Sequence, residues 1–173
     1  MSQLLRKIKL KKWFPDDEVA DWLEPDDIEA DPIGDLATEQ NALSLYEIRD
    51  DRSNLGRVIA ALAANQRNPR EIEYALVNEE VLLTLGFEME WSVGELPDPE
   101  VNAWHWELKR LSAKRLPVLV KAFRDQQDLD TFLPPKVIDA LEDSLNKHYI
   151  DENKIAITDP GTRRKLNLPV KNK

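Results

Sequence analysis

The stretch 43–92, LSLYEIRDDRSNLGRVIAALAANQRNPREIEYALVNEEVLLTLGFEMEWS, switches repeatedly between two hydrophobic periods, and that switching sets the expected fold. Leu43–Ile48 has apolar residues on both faces, as an interior strand does. Asp50 to Asn54 supplies N-cap side chains, after which Leu55, Val58, Ile59, Leu62 and Ala63 recur at helical spacing. Asn68-Pro69 breaks that helix. Ile72–Val77 reads as a short apolar strand, with helix as its alternative. Asn78 is placed to cap a two-turn helix with Glu79 and Glu80 in its first turn, and Gly86 suits the left-handed position after its end. Phe87, Met89 and Trp91 alternate with Glu88, Glu90 and Ser92, the period of a half-exposed strand. The order strand–helix–strand–helix–strand predicts an α/β (or α+β) fold. Its centre is a small mixed sheet with a βαβαβ-like core near residues 43–92 and at least one parallel pair.

Upstream, Ile8 and Leu10 alternate with Lys7, Lys9 and Lys11, which predicts a half-buried strand whose lysines deter edge pairing. Pro15 ends it, and Asp16 or Asp17 can cap a short helix carrying Val19, Trp22 and Leu23. Two prolines and six acids between 24 and 35 predict an acidic, solvated loop.

Downstream, the expectation is a mainly helical C-terminal half. Asp98-Pro99-Glu100 is a helix start with cap, N1 proline and first-turn acid. Val101, Trp104, Leu108 and Leu111 then form one helical stripe, interrupted at Pro117 and continued by Leu119, Val120 and Phe123. Pro134-Pro135 opens another helix with Ile138, Leu141 and Leu145 inward. Lys154–Thr158 reads as a final short strand. The expected organisation is one α/β domain over 1–161, followed by a basic C-terminal tail at 162–173 that is mobile unless a partner holds it.

Composition removes several functions. The 173 residues include no cysteine, so disulfide frameworks, thiolate zinc sites, iron–sulfur clusters and cysteine nucleophiles are excluded. Two histidines, His105 and His148, cannot build a multi-histidine metal centre within one chain. There is no GxSxG, no GxGxxG and no GxxxxGKS. The first fourteen residues hold five basic groups but no apolar leader, and no stretch reaches the length of a membrane span, so a cytoplasmic protein is expected.

The formal net charge of −9 is unevenly placed. Residues 15–52 carry fourteen acids against Arg49 and Arg52, whereas 1–14, 101–124 and 153–173 are basic. The overall sign argues against direct nucleic-acid binding, which needs a concentrated basic surface. Internal complementarity between the blocks is the simplest reading, and acidic mimicry of nucleic acid by residues 16–51 is a sharper one.

Two groups of residues carry candidate chemistry. Asp50, Asp51, Glu79 and Glu80 follow two expected strands. If those strands are parallel neighbours, the carboxylates converge where open α/β sheets place ligands and could hold Mg²⁺ for phosphoryl transfer or hydrolysis. The same acids also suit helix N-termini, with Arg49 and Arg52 placed to neutralise two of them. The second group is Trp106 with Lys109 and Arg110, which helical geometry puts on the polar side opposite a buried Trp104. A tryptophan beside basic residues is typical of a protein-binding anchor, and a ring covered by a neighbouring element is the structural alternative. His105 has no catalytic partner adjacent in sequence, and His148 fits a favourable charge at a helix C-terminus. The function expected is that of an accessory or regulatory protein acting by protein–protein interaction through a charged and aromatic surface, with a Mg²⁺-dependent phosphoryl-transfer or hydrolytic enzyme and an acidic nucleic-acid mimic as the alternatives.

Overall fold

The computed structural model of the chain describes residues 2–13, 28–36 and 39–169. These contain a six-stranded antiparallel sheet and eight helices, an α+β arrangement. The strands are β1 (Gln3–Lys7), β2 (Leu43–Ile48), β3 (Ile72–Asn78), β4 (Glu88–Trp91), β5 (His105–Lys109) and β6 (Asp128–Phe132), in the order β4-β5-β2-β1-β3-β6. The helices are α1 (Leu10–Trp13), α2 (Ala30–Asp35), α3 (Leu55–Ala64), α4 (Glu79–Thr84), α5 (Pro99–Ala103), α6 (Leu116–Gln126), α7 (Pro134–Asn146) and α8 (Pro160–Lys165). None of the described helices is long and apolar enough to cross a membrane.

Contacts divide the chain into two compact units. The first comprises Met1–Glu47, Glu73–Trp91 and Trp106–Asp130, and the second Ile48–Ile72, Ser92–His105 and Thr131–Lys173. The predicted succession of strand, helix, strand, helix and strand is present as β2, α3, β3, α4 and β4. Its pairing differs from the expectation. β1 lies between β2 and β3, so those two strands are not neighbours, and β1 pairs antiparallel with β3, Leu4 opposite Val77 and Arg6 opposite Ala75. The lysine-bearing N-terminal strand therefore sits inside the sheet and needs no edge protection. It ends at Lys7, and Leu10–Trp13 turns helical.

In the first unit, one face of the sheet carries Leu4, Ile8, Leu43, Leu45, Ala75, Val77 and Leu108, packed with Trp13, Phe87, Leu119, Val120 and Phe123. Trp13 meets Phe123 edge-to-face at 5.7 Å, a favoured aromatic geometry. Pro117 belongs to the first turn of α6 and starts that helix instead of kinking one. α4 closes as its sequence predicts. Gly86 has φ 73°, Phe87 N–H donates to Leu82 O at 3.0 Å and Gly86 N–H to Leu83 O at 2.9 Å, which is a Schellman end. The acidic stretch near 24–35 is helical from Ala30 to Asp35, and the short helix expected around Val19 lies outside the described residues. Asp35 Oδ2 accepts from Lys9 N–H at 2.6 Å and from the buried Trp13 indole at 3.1 Å, fastening α1 to α2.

The largest departure from the sequence expectation is over 101–111. The helix stops at Ala103, and His105–Lys109 is β5, paired with β4 so that Trp91 faces Trp106 and Met89 faces Leu108. Trp104, Trp106 and Leu108 satisfy a period of two as well as the helical stripe that Val101, Trp104 and Leu108 satisfy. Pairing with β4 decides between them, because it meets the backbone hydrogen-bonding demand of both segments. β6 was not expected at all: its run Asp-Leu-Asp-Thr-Phe is too polar to announce a strand.

In the second unit α3 and α7 form the main helix pair, and Val58, Ile59, Ala63, Val137, Leu141 and Leu145 are buried. Ile138, expected inward with Leu141 and Leu145, is only half-buried. Instead of a strand at 154–158, a 3₁₀ turn at Glu152–Lys154 leads into an extended segment. Its Ile155 and Ile157 are buried, and its Ala156 N–H donates to Ala64 O at 2.8 Å. The residues expected to begin a mobile tail are packed as far as Leu168. Thr162, Arg163, Leu166 and Leu168 are buried, and Arg163 Nη1 donates to Ile157 O at 2.8 Å.

Candidate functional site

The structure does not assemble the expected sites as the sequence suggested. Trp106 lies on a strand, half-buried against the first unit's core, and its indole N–H donates to Glu47 at 3.2 Å. Lys109 is held by Glu107 and lies 3.7 Å from Glu90, relieving two glutamates that face each other across β4 and β5. The hydrogen bond to Glu107 keeps Lys109 above its ordinary pKa. Arg110 is exposed and pairs with Glu88 at 3.2 Å. Trp104, expected to be buried, is half-exposed instead. Lys109 and Arg110 thus meet carboxylates of β4 and β5, and Trp106 one of β2.

Two of the four carboxylates are bonded locally. Asp51 accepts from Ser53 N–H at 3.0 Å, and that bond is the main cause of its lowered pKa. Glu79 accepts from the Ser2 hydroxyl, and Glu80 is exposed on α4. Among the described residues no three histidine, aspartate or glutamate side chains gather into a metal-binding group. The premise of convergence fails because β1 separates the two strands that the acids follow. Of the acidic block 16–51, residues 16–27 lie outside the described residues. Glu29 pairs with Arg124 at 2.9 Å and Asp35 with residues 9 and 13, so these acids meet the basic blocks inside the first unit.

His105, 5% exposed, has Nδ1 2.9 Å from Ser92 Oγ. The contact is part-buried and fastens the loop between β4 and β5. Beside it, Asn102 bridges Leu96, accepting from its N–H at 2.7 Å and donating to its O at 2.8 Å.

A different arrangement emerges in the second unit. Asp98 caps α5, accepting from Glu100 N–H at 2.9 Å and Val101 N–H at 3.3 Å. Completely buried, it also takes Arg57 of α3 by both oxygens, at 2.6 and 2.9 Å. Glu100 takes the remaining arm of the guanidinium. Burial alone would lower the Arg57 pKa; the two carboxylates outweigh it and hold the charge above its ordinary value. So fixed, Arg57 lies over Tyr149 at 3.7 Å and Trp104 at 5.6 Å, and Arg49 lies over Trp104 at 5.5 Å.

Local backbone chemistry places each member. Asn54, buried after the turn that ends β2, accepts from Arg49 N–H at 2.9 Å. At the end of α7, His148 takes the left-handed conformation at φ 56° that glycine usually fills. Tyr149 N–H then donates to Ser144 O and His148 N–H to Leu145 O, both at 2.9 Å, turning Tyr149 back along the helix. The role His148 plays is therefore in the backbone of a helix end. The result is a concavity of about 440 Å³ lined by Arg49, Gly56, Arg57, Trp104, Ala140 and Tyr149, with Glu100, Asp143 and Lys147 also on its wall. Lys147 pairs with Asp143 at 2.8 Å, one helical turn away.

The first unit has an apolar groove of about 620 Å³ between α4 and α6, lined by Val81, Leu85, Val118 and Ala122, with Lys121 and Asp125 among its polar residues. It lacks the fixed, buried ion pair that organises the second unit's concavity.

Sequence reasoning identified the Asp98 cap but missed Arg57, its partner 41 residues away, and assigned Trp104 to a core stripe. No local pattern links those residues. Compared with protein-family models, characterised proteins and solved structures, the chain matches none.

Proposed function

We propose that this chain is a protein-binding module, acting by protein–protein interaction through the charged and aromatic concavity of its second unit. The observation that carries this reading is the fixing of two partly exposed rings, Trp104 and Tyr149, over one guanidinium that buried Asp98 immobilises. Tryptophan, tyrosine and arginine dominate binding hot spots because they offer large contact area with few rotatable bonds. Rings already held in place lose little further freedom on association, so more of the contact energy remains as affinity.

The test is comparative affinity capture by the full chain and by Trp104→Ala and Tyr149→Ala variants, followed by mass spectrometry. Partners held by the parent chain should be lost from both variants, while their denaturant melts stay close to the parent. Equal capture by parent and variants would overturn the assignment of the surface.

A further inference from the structure

The donors and acceptors that line this concavity are unequally used. Its acceptors are engaged: Glu100 by Arg57, Asp143 by Lys147, and Asn54 Oδ1 by the Arg49 backbone. Asp98, beneath it, receives four hydrogen bonds. Three donors lining it are not spent on described residues. The Arg49 guanidinium stacks on Trp104 and forms no hydrogen bond or ion pair with any described residue; its charge only draws on Asp51 along the same turn. The Trp104 indole N–H and the Tyr149 hydroxyl likewise have no hydrogen-bond partner among the described residues.

We infer that the concavity takes a carboxylate, with Arg49 as its charge partner and the Trp104 N–H and Tyr149 O–H as neutral donors. This inference rests on the binding-module reading and names the chemistry a partner presents there. A carboxylate is acceptor-only and pairs with a guanidinium by two parallel bonds. Arg49 is the lining cation whose guanidinium no carboxylate among the described residues holds, since Arg57 pairs with Asp98 and Glu100 and Lys147 with Asp143. A phosphate dianion would leave a charge without a counterpart. Gly56 and Ala140 on the wall leave room for the stem that carries the carboxylate, and a Cβ added at Gly56 would meet nothing within 4 Å.

The carboxylate can come from a chain end or from an acidic side chain, and the probes separate these sources. N-acetyl-Ala-Ala with a free C-terminus, its C-terminal amide, N-acetyl-Glu-amide and inorganic phosphate are each titrated into the ¹⁵N-labelled full chain. The readout is the Trp104 indole resonance. One or both carboxylate probes should shift it saturably, and the one that binds more tightly identifies the source. The neutral dipeptide amide should leave it in place. Arg49→Gln should weaken carboxylate binding about tenfold or more, since a hydrogen bond to a charged group is lost. Gly56→Leu, which fills the space without changing charge, should weaken it as well, and denaturant melts confirm that both variants fold.

Absence of a saturable shift from either carboxylate probe would overturn the inference. So would tighter binding of phosphate, or equal carboxylate affinity in Arg49→Gln. These failures are distinct from failure of the module reading, which is decided by partner capture with Trp104→Ala and Tyr149→Ala.

Discussion

Arg57 holds Asp98 by both carboxylate oxygens, at 2.6 and 2.9 Å, and the same aspartate caps α5, so one buried charge joins two helices. Truncating Asp98 removes the cap and leaves a largely enclosed guanidinium without its main counter-ion. Asp98→Ala should cost about 3–5 kcal/mol of stability, the range for breaking a buried pair from one side. Glu100→Ala removes only the half-exposed arm of the cluster and should cost less than about 1 kcal/mol. Denaturant melts of the two variants give the comparison, and similar losses would contradict it.

Gly94 is required for space. A Cβ there would stand 2.9 Å from Asn102 Oδ1 and 3.3 Å from the Asn102 Cα. Asn102 cannot swing away without losing both of its bonds to Leu96. Gly94→Ala should therefore destabilise the chain by about 1–3 kcal/mol through overpacking. A melt unchanged from the parent would refute the close approach.

The Glu29–Arg124 pair gives an acid-side signature. Burial of Glu29 would raise its pKa, but its backbone hydrogen bond and Arg124 outweigh that and hold it below the ordinary 4.5. A group whose folded pKa is depressed adds stability above its unfolded value and loses it as pH falls through the folded one. Glu29→Gln should thus be less stable than the parent near neutrality. The difference should shrink below about pH 4.5, where the parent's carboxylate becomes protonated too. Urea melts at a series of pH values measure it; a gap that widens in acid would be the wrong sign.

His148 occupies a left-handed position at φ 56°. The conformation costs an L-residue about 1–2 kcal/mol, offset in a glycine variant by the extra freedom of the unfolded chain. His148→Gly should consequently raise stability by about 0.5–1 kcal/mol. A thermal melt shows the effect, and a lower melting temperature would mean that the imidazole makes a contact worth more than the strain.

Trp106 and Arg110 separate a packed residue on β5 from an exposed one just past its end. Trp106→Ala should cost about 3 kcal/mol, the low end for a tryptophan truncation, because the ring is half-buried and its N–H is bonded to Glu47. Arg110→Ala should stay within about 0.5 kcal/mol of the parent, as surface changes do. A neutral Trp106→Ala would show that its bond to Glu47 of β2 and its place opposite Trp91 of β4 contribute little.

Much of the local structure is legible in the residues themselves. Gly86 ends α4 in the left-handed conformation, Asp98 caps α5, and Leu43–Trp91 alternates strands and helices in the predicted order. The candidate site was far less legible. Arg49, Arg57, Trp104 and Tyr149 come from three separate segments; the sequence reading had Arg49 as a neutraliser of the neighbouring aspartates and Trp104 as a core residue, and gave Arg57 and Tyr149 no role. Trp106 drew attention by its basic neighbours, yet Lys109 is held by Glu107 beside it and Arg110 by Glu88 of β4, a strand that no pattern within 101–111 could reveal.

What the sequence determined by itself are features settled within a few residues: helix caps, helix ends, the periods of β2, α3, β3 and β4, and the absence of cysteine chemistry. Their cause is local, since a side chain or a glycine satisfies backbone groups one turn away. Tertiary structure alone decided that β1 enters between β2 and β3, that 105–109 extends instead of coiling, and that Arg57 meets Asp98. In each of these the local preferences are nearly balanced, and the free energy comes from distant partners. Strand hydrogen bonds, a shared apolar face and a buried charge pair exist only once remote segments meet.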